Sequence, residues 1–196
     1  MALKESEVYK ALLSSYGSEV KSISELSYDS SNQRSFIDSY VLGLDFDSIA
    51  NCNGRASNER SPDSLFYNDG VLYFVEFKSG VNAKKEDIRL KIHEACATLF
   101  FFCKENIESF EKDDFFRLNI KYGVVFRDKS KGRKAMYNAL SRSVAKYSLN
   151  NLEGYIISEA ATVSKGQYIL KMLRDATGWK VPYIELHSGT NIKFFC

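Results

Sequence analysis

The sequence predicts an α/β fold in which a mixed β-sheet is flanked by helices. Segments with a helical apolar period alternate with short runs rich in aromatic and β-branched residues, the pattern of strands joined through helices. Ahead of the longest helical segment, two such runs meet at an Asp-Gly pair, which adds an antiparallel hairpin to the sheet. Hydrophobic residues make up 44% and charged residues 27% of 196 positions, enough for one domain with a sizeable core. Only two prolines occur, and no linker, repeat or low-complexity stretch divides the chain.

Taken in order, a helical period runs from Leu3 to Leu26 with a break at Gly17. A second helix, 30–43, is expected to open at Ser30, since Gln33 stands at capping-box spacing and Phe36, Ile37, Tyr40, Val41 and Leu44 line one face. Residues 45–61 are polar and read as a loop with at most one short strand. After the hairpin, residues 83–105 form the clearest helix, with Ile88, Ile92, Ala95, Leu99 and Cys103 as its buried stripe. A strand is expected at 118–126, then a basic turn and a helix near 134–147. "LEGYIIS" reads as another strand, "GQYILKMLRDATG" as a helix ending at Gly178, and "VPYIELHSGTNIKFFC" as a terminal hairpin.

The hairpin, "SPDSLFYNDGVLYFVEFKSG", carries the chemistry. Asp69 and Gly70 suit the two central positions of a type I′ turn. That turn pairs Asn68 with Val71, Phe66 with Tyr73 and, by continuation, Asp63 with Glu76. Directly opposed residues have β-carbons about 4.5–5.5 Å apart, and like charges there repel. Lys78 lies two residues beyond Glu76 and so shares its face. Two facing carboxylates in an apolar strand pair are costly, while a hard divalent cation such as Mg²⁺ turns repulsion into ligation. A plain salt bridge of Lys78 to either acid, at a hairpin end open to water, is the alternative.

Net charge is +2, but its distribution is uneven. Residues 117–146 hold nine basic residues against one acid, Asp128, with Arg127, Lys129, Lys131, Arg133 and Lys134 closely spaced. Such a block suits a polyanion-binding face and equally suits a solvated loop and helix. The four cysteines form no CxxC pair and no His/Cys cluster, so they are expected to be reduced, mostly buried thiols. "MALKESEVYK" carries acids where a secretion signal needs an apolar run, so a cytoplasmic protein is expected. The longest apolar run, "ACATLFFFC", is too short to span a bilayer, so no membrane partner is expected. There is no Walker loop, no GxSxG and no dinucleotide fingerprint.

Pro62-Asp63 followed by Glu76-Phe77-Lys78, with a hairpin before and an amphipathic helix after, resembles the PD-(D/E)xK nuclease superfamily. The resemblance covers residues 30–126 and leaves 127–196 as a C-terminal extension of one domain. It implies a restriction-endonuclease-like fold, with a helix, a mixed sheet of about four strands and a second helix. It also implies an Mg²⁺- or Mn²⁺-dependent nuclease that hydrolyses phosphodiester bonds in DNA or RNA. In that scheme Asp63, Glu76 and the main-chain carbonyl of Phe77 ligate the metal. Lys78 holds the attacking water and offsets phosphate charge. Many members add an acid from the first core helix; Asp38 is the nearest candidate here, or Glu19 if that helix is the 3–26 segment.

Lys84, Arg89 and Lys91 lie on or near the helix after the motif, where relatives place a basic side chain against phosphate; a solvated lysine is the competing reading for Lys91. His93 and His187 are isolated, and each reads as structural or exposed. A second class of function stays open: a non-catalytic member of the same fold that binds nucleic acid or protein, such as a subunit, inhibitor or immunity-type protein. The sequence also leaves open a homodimer and the choice between endonuclease and exonuclease.

Overall fold

Helix α1 spans Glu5–Tyr16 and buries Val8 and Leu12 along one stripe. The structure is a computed structural model that describes residues 5–52, 60–78, 84–127, 147–188 and 190–195. The helical period expected through Leu26 splits at Gly17. A 3-10 turn (Gly17–Glu19) leads to strand β1 (Val20–Ser22) and the single-turn helix α2 (Ile23–Leu26), closed by a Ser22/Glu25 capping box.

The helix expected over 30–43 does not form. Strands β2 (Tyr28–Asp29), β3 (Arg34–Ser35), β4 (Ile37–Asp38) and β5 (Leu42–Asp45) stand there instead. Two side chains redirect the backbone. Asp29 accepts hydrogen bonds from the N–H groups of Ser31 and Asn32, at 3.0 and 3.3 Å, folding the 29–32 turn back on itself. The Ser27 hydroxyl donates to the Ile37 carbonyl and accepts from its N–H, each at 3.1 Å, and so docks an extended segment. Tyr40, assigned by periodicity to a buried face, is 84% exposed. Within the expected 45–61 loop, helix α3 (Phe46–Cys52) forms because Asp45 accepts the Ser48 N–H at 3.0 Å as its N-cap.

The hairpin forms as expected, from β6 (Ser64–Asn68) and β7 (Val71–Lys78). Asp69 and Gly70 both adopt positive φ, 45° and 71°, as a type I′ turn requires. Asn68 pairs with Val71, Phe66 with Tyr73 and Ser64 with Val75. Helix α4 (Lys85–Asn106) follows, with Ile88, Ile92, Ala95, Leu99 and Cys103 all buried. A short helix α5 (Lys112–Arg117) precedes β8 (Ile120–Phe126). "LEGYIIS" is not a strand: Gly154, at φ 72°, donates its N–H to the Ile157 carbonyl at 2.8 Å and closes a turn, so β9 begins later (Glu159–Val163). Helix α6 (Gly166–Thr177) ends at a left-handed Gly178, and β10 (Tyr183–Ser188) with β11 (Thr190–Phe195) forms the terminal hairpin. The expected 134–147 helix lies almost wholly outside the described residues.

Six strands form one mixed sheet in the order β1-β5-β6-β7-β8-β9. Pairing is antiparallel from β1 to β7 and parallel through β7, β8 and β9. Strands β11, β10 and β4 form a second, smaller sheet. Side-chain alternation along β7 sorts two cores. Leu72 and Phe74 meet α1 and α4 with Tyr122 and Val124, while Val75 and Phe77 meet α6 with Phe36, Phe66 and Val125. Glu76 belongs by register to the α4 face. Cys96 and Cys103 are buried free thiols, and burial pushes each up to about 12. Among the described residues, no helix is long and apolar enough to cross a membrane.

Candidate functional site

Asp63 stands one residue ahead of β6, and continuing the ladder from Ser64–Val75 sets it opposite Glu76. Its backbone is pinned by helix α3, whose Phe46 N–H donates to the Asp63 carbonyl at 3.3 Å. Its carboxylate turns inward, and Oδ2 accepts the Phe77 N–H at 2.5 Å. The carbonyl of Phe77 points to the same strand edge as its N–H, beside Asp63.

Glu76 has no solvent exposure. Two lysines meet it from different elements. Lys91, on α4, places Nζ 2.8 Å from Glu76 Oε2 and 3.7 Å from Asp63 Oδ1, so one ammonium lies between both carboxylates. Lys78 closes on Glu76 Oε1 as an ion pair, but that oxygen accepts no aligned hydrogen bond among the described residues. Tyr122 lies beneath, fully buried, and donates its hydroxyl to the Ile88 carbonyl at 3.3 Å.

Burial first, and the Glu76 charge second, push the Asp63 carboxyl up to about 8, against the pull of Lys91, the Phe77 N–H and Lys78. Burial disfavours the charge on Lys91, but Glu76 and Asp63 outweigh it and hold its pKa above the ordinary lysine value. The same burial, with Glu76 and Asp63 nearby, raises Tyr122 well above the usual tyrosine value and keeps its hydroxyl a donor.

Asp63, Phe77 and Lys78 open onto a polar cleft of about 210 Å³, whose other wall is the 26–30 segment with Ser27 and Asp29. Asp29 is an acid of the cleft that the sequence reading missed. It fell between the helical period ending at Leu26 and the helix expected to open at Ser30, and no local signal brings 26–30 to the end of β7. Asp47, on α3, lies outside the cleft lining; it accepts the Ser61 hydroxyl at 2.8 Å and adds negative charge near Lys91.

Asp38 does not join the cluster. It lies on β4 opposite Glu185, and its carboxylate accepts the Ser24 hydroxyl at 2.8 Å. The reason is the strand formed where a helix was expected. Glu19 sits in the 3-10 turn, 3.9 Å from Lys21, which pairs at 2.6 Å with Asp45. Among the described residues, no group of three or more His, Cys, Asp or Glu side chains gathers. Lys91 is neither solvated nor turned toward the protein surface for phosphate; it is an internal partner of both acids. Lys84 is exposed at the start of α4, and Arg89 donates to the Ser148 carbonyl. His93 is exposed on α4, and His187 lies on β10. Arg127 is described and buried, while Lys129, Lys131, Arg133 and Lys134 lie outside the described residues.

The donor set at Asp63, Glu76 and the Phe77 carbonyl is all hard oxygen, which suits Mg²⁺ or Mn²⁺, ions that take one or two protein carboxylates and keep water in their remaining positions. Lys78 already neutralises the Glu76 oxygen that lacks an aligned hydrogen bond, so the feature of the site that such a cation would relieve is the protonation of Asp63 that burial and the Glu76 charge favour. Comparison with known proteins finds no matching family model, no matching curated protein and no matching solved structure.

Proposed function

We propose that the protein is a metal-dependent nuclease that hydrolyses phosphodiester bonds of DNA or RNA, with a restriction-endonuclease-like core. One observation carries the reading: the hairpin register sets Asp63 opposite the buried Glu76, and Asp63 and Lys78 line the polar cleft in front of it. Topology supports it further. Helix α1, the antiparallel β5-β6-β7, helix α4 and a β8 parallel to β7, within a six-strand mixed sheet flanked by helices, are compatible with the order of elements that the motif implies. The first core helix in this reading is α1, not the 30–43 segment.

Asp63, Glu76 and the Phe77 carbonyl would hold Mg²⁺ or Mn²⁺. When bound, the cation supplies Lewis-acid polarisation of a phosphate oxygen. Lys78 lies at the cleft and is 28% exposed, so its ammonium can hold a water in line with phosphorus while offsetting phosphate charge. Lys91 keeps the two acids in place through charge and excludes solvent from behind them. Asp63 is held in orientation by the Phe77 N–H.

The test is digestion of plasmid, single-stranded DNA and RNA with Mg²⁺ or Mn²⁺, comparing wild type with Asp63→Ala, Glu76→Gln and Lys78→Ala, each checked for folding by melting. Loss of cleavage in all three is expected, and activity that survives all three overturns the proposal. A binding-only reading draws on one observation: Lys91 and Lys78 both already pair with Glu76, and Lys91 also lies near Asp63. Titration calorimetry with Mn²⁺ separates the two, because a purely ionic cluster binds no metal at Asp63 and Glu76.

A further inference from the structure

Arg127 sits directly after β8, and its N–H donates to the Lys78 carbonyl at 3.0 Å, so it extends the parallel ladder beside the site. Its side chain is 9% exposed. The guanidinium lies over the Phe36 ring, 5.1 Å from the centroid, which fixes its plane. Nε and Nη2 have no hydrogen-bond partner among the described residues. These two atoms carry the parallel N–H groups of one guanidinium edge, the edge that matches two oxygens of a carboxylate or phosphate.

A buried cation with its bidentate edge unmatched is expensive, and such groups are retained where a ligand completes them. Among the described residues, one cation and one acid act on Arg127. Burial and then the Arg34 charge press the Arg127 pKa down, with Asp29 opposing. Both supports of the side chain adjoin the cleft. Phe36 donates its N–H to the Ser27 carbonyl at 2.9 Å, and Ser27 and Lys78 line that cleft together.

We infer that Arg127 is a phosphate-binding arm of this cleft, its Nε and Nη2 taking two oxygens of one phosphate group beside Lys78. The anion site stands on the geometry of Arg127, and only its assignment to a nucleic-acid strand rests on the nuclease reading. The phosphate is either an internal phosphodiester or a terminal phosphomonoester; both offer paired oxygens, and Arg127 sits too deep to serve as a diffuse surface charge.

The test uses the full chain in metal-free buffer, with two measurements. Melting is followed with and without inorganic phosphate, and binding is measured for a single-stranded oligonucleotide with and without a 5′-phosphate. Phosphate is expected to raise the melting temperature of wild type and not of Arg127→Met. Without phosphate, Arg127→Met is expected to melt at or above wild type, because it removes an uncompensated charge while keeping apolar bulk. Oligonucleotide affinity is expected to fall at least about tenfold in Arg127→Met, the worth of one bidentate charged contact, and Arg127→Lys is expected not to restore it. A loss confined to the 5′-phosphorylated strand assigns the site to chain ends; an equal loss on both assigns it to internal phosphates. A melting temperature that drops in Arg127→Met without phosphate, or a wild type indifferent to phosphate, overturns the inference. Phosphate binding without any cleavage by wild type sinks the nuclease reading and leaves this one standing. Cleavage abolished by Asp63→Ala but unchanged in Arg127→Met, with no phosphate effect on melting, does the reverse.

Discussion

The carboxylate of Asp63 accepts the Phe77 main-chain N–H at 2.5 Å, so a side chain completes a strand pairing that the backbone of β6 begins one residue later. That bond ties the orientation of one acid to the strand bearing the other. The bond favours the ionised acid, but burial and the Glu76 charge outweigh it, so the fold holds Asp63 protonated above its ordinary range.

Stability should therefore fall with rising pH through the Asp63 group. In the unfolded chain an aspartate ionises near its ordinary value of about 4, whereas in the fold it holds its proton to about 8. Between those values the folded state binds the extra proton, so this contribution is full below about 4 and is lost as pH rises through about 8. Asp63→Asn should flatten that slope and melt above wild type at pH 8. Denaturant titrations across the range measure it, and an unchanged slope in Asp63→Asn refutes it.

Divalent cation binding should release close to one proton when measured well below pH 8, because ligation requires the Asp63 carboxylate and the metal-free protein keeps it protonated. Calorimetry with Mn²⁺ in buffers of different ionisation heat counts that proton. Asp63→Asn and Glu76→Gln should abolish the binding heat.

Lys91 and Glu76 should be strongly coupled. Glu76→Gln leaves two lysines without their shared anion and should cost about 3 kcal/mol, the low end for breaking a buried pair because Lys78 is partly solvated. A double-mutant cycle with Lys91→Met should give a coupling energy of about 1–3 kcal/mol by urea unfolding. A coupling indistinguishable from zero would mean that Lys91 is held by packing alone.

The turn should matter at the site it does not touch. Gly70 is left-handed, with φ 71°, so Gly70→Ala should cost about 1–2 kcal/mol. Because the same turn sets the register that opposes Asp63 to Glu76, Mn²⁺ affinity should weaken in that variant as well. Measuring unfolding and metal binding on one preparation separates a turn that only stabilises from one that also sets the site.

What the sequence by itself determined lies within short stretches of chain. Asp69-Gly70 specifies a turn, the turn specifies a register, and period two then assigns Asp63, Glu76 and Lys78 to one face. The stripe of α4 was equally readable, since Ile88 through Cys103 repeats at the pitch of a helix. Tertiary structure decided what depends on distant partners. Ser27 and Asp29 turned a helical pattern at 30–43 into strands by capturing backbone groups, which carried Asp38 away and brought Asp29 to the cleft. Periodicity placed Lys91 on the right side of its helix, but only packing of α4 across the end of β7 lets one ammonium reach both acids. Arg127 read as one charge in a basic run, until the ring of Phe36 and the end of Lys78 enclosed it. Local hydrogen bonding and pleat fix which way a side chain faces; what it meets there is set by burial, and burial belongs to the whole chain.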